Sequence, residues 1–147
     1  MMEWQLNFEL VPSVVAAAHR LSPGMQITET QRRKIDWWRG QSLSPSALDR
    51  LGESFPRRKR IKVFGAEFED FGNLQTIGVS VLRENDKITG IYVRVDFRIL
   101  SEEIALLVWN FAESVGCLLI GEEHKILDPV FLVLAARNKG DLPGQIN

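Results

Sequence analysis

Ile91-Tyr92-Val93-Arg94-Val95-Asp96-Phe97-Arg98 is the stretch that decides how this chain folds. Side chains on a strand alternate between two faces, so Ile91, Val93, Val95 and Phe97 fall on one side and Tyr92, Arg94, Asp96 and Arg98 on the other. The first set needs a core and the second needs water or a partner. Upstream, Ile77 to Arg83 reads as a second strand. Glu84-Asn85-Asp86-Lys87 joins it to a strand from Ile88 to Arg98 as a hairpin, which makes the two strands antiparallel neighbours. Downstream, Ser101 caps a helix whose first turn carries Glu102 and Glu103, where negative charge suits the helix dipole. Ile104, Leu107, Val108, Phe111, Ala112 and Val115 form its buried stripe, and Gly116 is a left-handed stop. Leu118 to Ile120 is then a short core strand.

Toward the N-terminus, Trp4, Leu6, Phe8 and Leu10 alternate with Glu3, Gln5, Asn7 and Glu9, a half-buried strand halted by Pro12. Ser13 to Leu21 has helical spacing and ends at Ser22-Pro23-Gly24. Thr28 and Gln31 fit a capping box for a helix from about Glu29 to Arg39, closed by Gly40. Ser44-Pro45 opens another helix, with Leu48 and Leu51 inward, ending near Ser54 and Pro56. The basic run Arg57 to Arg60 leads into a strand around Ile61 to Phe68. Glu67 to Asn73, acidic and glycine-containing, reads as a loop. Asp128-Pro129 opens a last helix through Ala136, followed from about residue 138 by a polar tail expected to fray. Strands interleaved with helices and dominated by a hairpin predict a single α+β domain: a mainly antiparallel sheet with helices packed on one face.

The bulk numbers set the broad class. A chain of 147 residues with 45% apolar and 25% charged residues has the composition of a globular domain. The start Met1-Met2-Glu3-Trp4 already alternates like a strand rather than a secretory signal, and no apolar run approaches the ~20 residues that span a bilayer. The expectation is a soluble cytoplasmic protein without membrane association. The net charge of −1 conceals an asymmetry. Residues 32–62 hold ten Lys/Arg against three Asp/Glu, whereas the remaining residues hold eight against sixteen. Such halves suit each other or an acidic partner.

Chemistry is harder to find. Cys117, the one cysteine, sits in the apolar run Cys117-Leu118-Leu119-Ile120 and reads as a small core residue. His19 falls at a helix end and His124 in the turn Gly121-Glu122-Glu123-His124-Lys125, so neither makes a persuasive base for it. Two histidines without ligand spacing predict no metal site. Glu67, Glu69 and Asp70 read as an acidic loop rather than a catalytic pair. Gly72 and Gly78 lack the order of a phosphate loop. The expectation is a non-enzymatic protein without cofactor.

Binding candidates remain. Neighbours two apart on a strand lie about 6.6 Å apart, so Asp96 is expected to bridge Arg94 and Arg98 in a ladder beside Tyr92. Arginine and tyrosine are the residue types that dominate interface energetics. Trp37 and Trp38, adjacent on a helix, cannot both face the core, which makes them candidate anchors for a partner. Arg57-Arg58-Lys59-Arg60 with Lys62 is a third candidate surface. Its alternative use, with the tryptophans stacking on bases, is to grip nucleic-acid phosphates.

Trp37-Trp38-Arg39-Gly40, Leu48 and Leu51 with Phe55-Pro56, and the hairpin closing on Val93-Arg94-Val95-Asp96-Phe97-Arg98 together form an order of features. With the later apolar helix, Cys117-Leu118-Leu119-Ile120 and Asp128-Pro129, that order resembles small bacterial proteins that look like immunity proteins of polymorphic toxin systems. The resemblance covers about residues 37 to 136. It implies a protein that binds and neutralises a cognate toxin, an activity that needs complementarity rather than chemistry. On that reading Tyr92, Arg94, Asp96 and Arg98 are the leading partner-binding residues, with Trp37, Trp38, Arg57, Arg58 and Arg60 secondary. A nucleic-acid-binding domain built on residues 57–62 is the alternative.

Overall fold

Val79, Val81, Ile91 and Val95 are completely buried and Val93 nearly so, because they line one face of the hairpin foreseen above. The computed structural model describes residues 5–73 and 77–138. Their elements run β1 (Gln5–Pro12), α1 (Ser13–Ala18), α2 (Glu29–Lys34), α3 (Pro45–Ser54), β2 (Lys59–Val63), β3 (Ala66–Asn73), β4 (Ile77–Glu84), β5 (Lys87–Asp96), α4 (Glu102–Ser114), β6 (Cys117–Ile120), β7 (Ile126–Leu127) and α5 (Val130–Arg137). The expected position of Trp4 on the first strand, and the fraying expected beyond Asn138, lie outside the described residues.

The strands form one antiparallel sheet in the order β2-β3-β4-β5-β1-β6-β7. The fold is therefore α+β, as the patterning required. β1 is inserted between β5 and β6, pairing Phe8 with Val93 and Leu10 with both Ile91 and Leu119. Each such buried aliphatic or aromatic side chain contributes about 1.5–3 kcal/mol of hydrophobic stabilisation.

Three helices cover this apolar face. α3 begins where Ser44 Oγ accepts the Ala47 N–H, and Gly52 on it sits against the Phe71 ring of β3. α4 begins where Ser101 Oγ accepts the Ile104 N–H, buries Ala105, Val108, Phe111 and Ala112, and packs against both α3 and α5. α5 starts after Asp128, whose carboxylate accepts the Val130 N–H, and sets Phe131 edge-on to Phe8 at 6.3 Å. Among the described residues no helix is long and apolar enough to cross a membrane.

Four local expectations are corrected. The β4–β5 connection is two residues, not four: Asn85 and Asp86 both adopt positive φ, the geometry whose twist suits a tight hairpin. The segment read as one strand and an acidic loop is a second hairpin, β2–β3, turning at Phe64-Gly65. Its carboxylates stay on a strand because a basic strand faces them, Arg60 opposite Glu69 and Lys62 opposite Glu67. The capping box of α2 is present, but that helix ends at Lys34 rather than Arg39. Strand β5 ends at Asp96, and Phe97 to Ile99 form a turn.

Candidate functional site

The face of the sheet opposite α3, α4 and α5 carries the charged side chains of β5. Register brings β1 and β4 alongside, with Asn7 opposite Arg94, Glu9 opposite Tyr92 and Ser80 opposite Tyr92. These residues, with Arg32 from α2 and Glu122 from the β6–β7 turn, line a shallow cleft of about 500 Å³. Its floor is rigid sheet, and its rim is formed by a helix and a turn.

Two chains of hydrogen bonds fix the cleft. Arg94 Nε donates to Asn7 Oδ1 at 3.0 Å, and Asn7 Nδ2 donates to Glu122 Oε1 at 2.6 Å. Arg94 is exposed and engages this chain of hydrogen bonds through Nε, which orients the side chain. On the other rim, Arg32 donates through Nε and Nη2 to Glu9 Oε1 at 3.0 and 2.9 Å. Its Nη1 reaches the Gly121 carbonyl at 3.0 Å and His124 Nδ1 at 3.1 Å. A guanidinium has no lone pair to offer, so His124 Nδ1 is the acceptor in this contact. Arg32 thereby pins α2 across the open face.

Tyr92, 41% exposed, lies flat along this surface over Gly90. A side chain at residue 90 would occupy the place of the ring: an added Cβ would sit 2.6 Å from the tyrosine oxygen. Burial, with a smaller effect of the Glu9 carboxylate, raises the phenol above its ordinary pKa, so it remains a hydrogen-bond donor at neutral pH. Ser80 Oγ donates to Asp70 Oδ1 at 2.6 Å. Cys117 is buried in the core, where desolvation pushes its thiol up to about 12, far from a reactive thiolate. Among the described residues no group of three or more His, Cys, Asp or Glu side chains could hold a metal ion.

The remaining sequence candidates fall elsewhere. Asp96 does not bridge Arg94 and Arg98: it is only 5% exposed and closes on Arg98, while Arg94 is held by Asn7. Asp96 accepts from the Arg98 backbone N–H at 3.0 Å and from Arg98 Nε and Nη2 at 3.1 and 2.8 Å. The chain turns immediately after Asp96, so Arg98 folds back on it instead of continuing the strand. Trp37 and Trp38 are both buried, at 5% and 4% exposure, and neither offers an anchor to a partner. The chain has left α2 before it reaches them, which removes the helical restriction that would have split the pair. Trp37 Nε1 donates to the Arg32 carbonyl at 3.2 Å.

The basic run is divided as well. Arg58 binds Glu69 and reaches Asp49 of α3 at 3.2 Å, with its guanidinium 5.2 Å from the centre of the Phe71 ring. Glu69 is fully buried on the helix-covered face and also receives Arg83 at 3.0 Å and Arg60 at 3.5 Å. Burial alone would raise its pKa; hydrogen bonds from Arg58 and Arg83 outweigh that and hold the carboxyl below its ordinary range. Arg58 is thus a structural cation, and Arg60, near Glu67 and Glu69, is largely one too. Arg57 stays exposed.

Asn7, Glu9, Arg32, Ser80 and Glu122 were not singled out from sequence. Asn7 and Glu9 do lie on the polar side of the first strand, so the parity was visible. What was missing was the register that sets them beside Arg94 and Tyr92. No protein-family model, curated protein or solved structure matches the chain.

Proposed function

We propose that this chain is a non-enzymatic protein-binding module of the immunity-protein kind, acting in the cytoplasm to neutralise a bacterial toxin by stoichiometric docking. The observation that carries this reading is the pairing of Arg94 and Tyr92 on an open, rigid sheet face. Arg94 is held from behind by Asn7 and Glu122, and Tyr92 is laid flat by Gly90. Arginine and tyrosine are typical hot-spot residues, and holding them in place beforehand reduces the ordering cost of association. The order of features between residues 37 and 136 that resembles immunity proteins supplies the toxin as the kind of partner.

A phosphate-gripping role for residues 57–62 is less well supported, because Arg58 and Arg60 already face buried or half-buried carboxylates. The test is to read the adjacent genes for a toxin and to co-express its toxic domain with this chain, reading growth and, with purified proteins, affinity by titration calorimetry. The expected outcome is rescue of growth by the wild-type chain and a 10–100-fold weaker complex for Arg94→Ala, about 1.4–2.8 kcal/mol. A complex that forms equally well with Arg94→Ala and Tyr92→Ala would remove the open face from the proposal. Absence of both rescue and complex would remove the toxin.

A further inference from the structure

The two edges of the sheet are treated differently. At the β7 edge the chain closes on itself: Gly24 N–H donates to the Ile126 carbonyl at 2.8 Å, Ile126 N–H to the Met25 carbonyl at 2.8 Å, and Ile27 N–H to the His124 carbonyl at 3.0 Å. Gln26 and Lys125 form a bridge there. At the other edge, among the described residues, β2 pairs with β3 only, and all five of its residues are exposed. We propose that the free edge of β2 is a strand-docking site that takes an extended segment of a protein partner, with acidic and apolar residues in alternation, as an eighth strand. The inference rests on the reading of this chain as a protein-binding module and adds a second, separate contact to it.

The direction of the free backbone groups follows from the hairpin. Val63 and Ala66 flank the two-residue turn, so they form a mutually hydrogen-bonded pair, and with period two Ile61 and Lys59 also point their N–H groups at β3. The N–H and C=O groups of Arg60 and Lys62 therefore point outward. On one face a docked strand would meet Arg60 and Lys62; on the other it would meet Lys59, Ile61 and Val63. The inner neighbour already shows the complement: β3 places Glu69 opposite Arg60, Phe68 opposite Ile61 and Glu67 opposite Lys62. A segment with the same acid–apolar–acid order satisfies the outer edge in the same way.

Charge selects this occupant over the obvious competitor. A second copy pairing antiparallel about Ile61 would set Arg60 opposite Lys62 twice, and like charges directly across a ladder are destabilising. Arg57, Lys59 and Lys62 make no ion pair among the described residues, so they can receive carboxylates without breaking an existing contact. The apolar half of the site is exposed in the same strand and its turn: Ile61 at 37%, Val63 at 44% and Phe64 entirely. Nucleic acid would use the cations but leave the backbone edge and these apolar groups unengaged.

The probe is the synthetic capped peptide Ala-Glu-Phe-Glu-Asp-Phe-Gly-Asn, the sequence of β3, titrated into the isotopically labelled full chain and followed by amide resonances. Binding should shift the Arg60 and Lys62 amides and slow their exchange with solvent. Lys62→Pro deletes an outward N–H while leaving the β3 ladder intact, and should weaken the peptide at least tenfold. Lys59→Glu with Lys62→Glu keeps every backbone donor and should weaken it comparably, so the charge arm decides if the proline variant fails to fold. Arg94→Ala should leave the peptide unaffected. Undisturbed β2 amides at saturating peptide would overturn edge docking, and toxin binding that still depends on Arg94 would show that the protein-binding reading survives. Amide shifts that follow protein concentration without peptide would assign the edge to a second copy and overturn the acidic occupant. Duplex DNA or single-stranded RNA bound through Lys59 and Lys62, but indifferent to Lys62→Pro, would replace it with phosphate binding.

Discussion

Gly90 carries more of the open face than its size suggests. Its missing Cβ is the space in which the Tyr92 ring lies, with the hydroxyl oxygen 2.6 Å and the nearest ring carbons 2.7 and 2.8 Å from where that carbon would be. The clash created by Gly90→Ala involves the outer end of a side chain, which can rotate away about χ1, so the backbone need not move. The variant is expected to keep its fold and stay within about 1 kcal/mol of the wild type in stability, while the Tyr92 ring leaves the sheet surface. Tyr92 is the only tyrosine in the chain, so a single set of tyrosine ring resonances reports the change. Unaltered ring resonances would mean that the ring does not depend on residue 90. With the toxin, the same variant should weaken binding while retaining Arg94, separating the two halves of the patch.

The β2–β3 hairpin raises the corresponding question for an element. Its turn places Phe64 at φ 48 and Gly65 at φ 84. Positive φ is unfavourable for a bulky residue, and Asn-Gly is the pair that such a turn prefers. Because Phe64 is fully exposed, Phe64→Asn removes strain without opening a cavity. It should raise stability by about 1 kcal/mol, read as a higher urea midpoint at unchanged slope. A lower midpoint would show that the ring packs against the fold. The same turn explains why this hairpin was hidden in the sequence. Nothing at Phe64-Gly65 signals a tight turn, and Glu67, Glu69 and Asp70 look like loop residues until the facing cations of β2 are known. The elements that were legible, α3, α4 and the β4–β5 hairpin, carry their information locally, in a cap, a helical stripe or an alternation. The open face was legible only on β5. Its other half depends on β1 entering between β5 and β6, a pairing between residues almost ninety positions apart, and on Arg32 reaching the sheet from α2. The tryptophan pair was misjudged for a similar reason, since where α2 ends decides which directions Trp37 and Trp38 can take.

Across the whole molecule, part of the charge asymmetry of the sequence is consumed internally, with Arg57, Lys59 and Lys62 left outside the ion pairs among the described residues. The cation-rich residues 32–62 fold back on the carboxylates of the acidic remainder: Arg32 on Glu9, Arg58 on Glu69, and Arg60 on Glu67 and Glu69. Glu69 is the centre of this arrangement because it is the fully buried carboxylate, and its ionised form depends on Arg58 and Arg83 to offset the loss of water. Its pKa in the folded chain lies below the ordinary value, so folding favours the ionised form. The stabilisation is then fully present above the unfolded carboxylate pKa of about 4.3, and is lost as pH falls from there through the depressed folded value. Thermal unfolding followed from pH 7 down to pH 3 should show a falling midpoint in that lower range. Glu69→Gln cannot ionise, so it should be less stable at pH 7 and show a flatter acid limb. Removing one partner of a buried pair costs about 3–5 kcal/mol, and the partial exposure of Arg58 brings the expectation to roughly 2–4. Arg83→Met should produce a smaller loss with the same flattening, because Arg58 still holds the carboxylate. If Glu69→Gln left the acid limb as steep as in the wild type, the acid sensitivity would belong to other carboxylates, and the clamp joining β2, β3 and β4 would contribute little to holding the basic strand in the sheet.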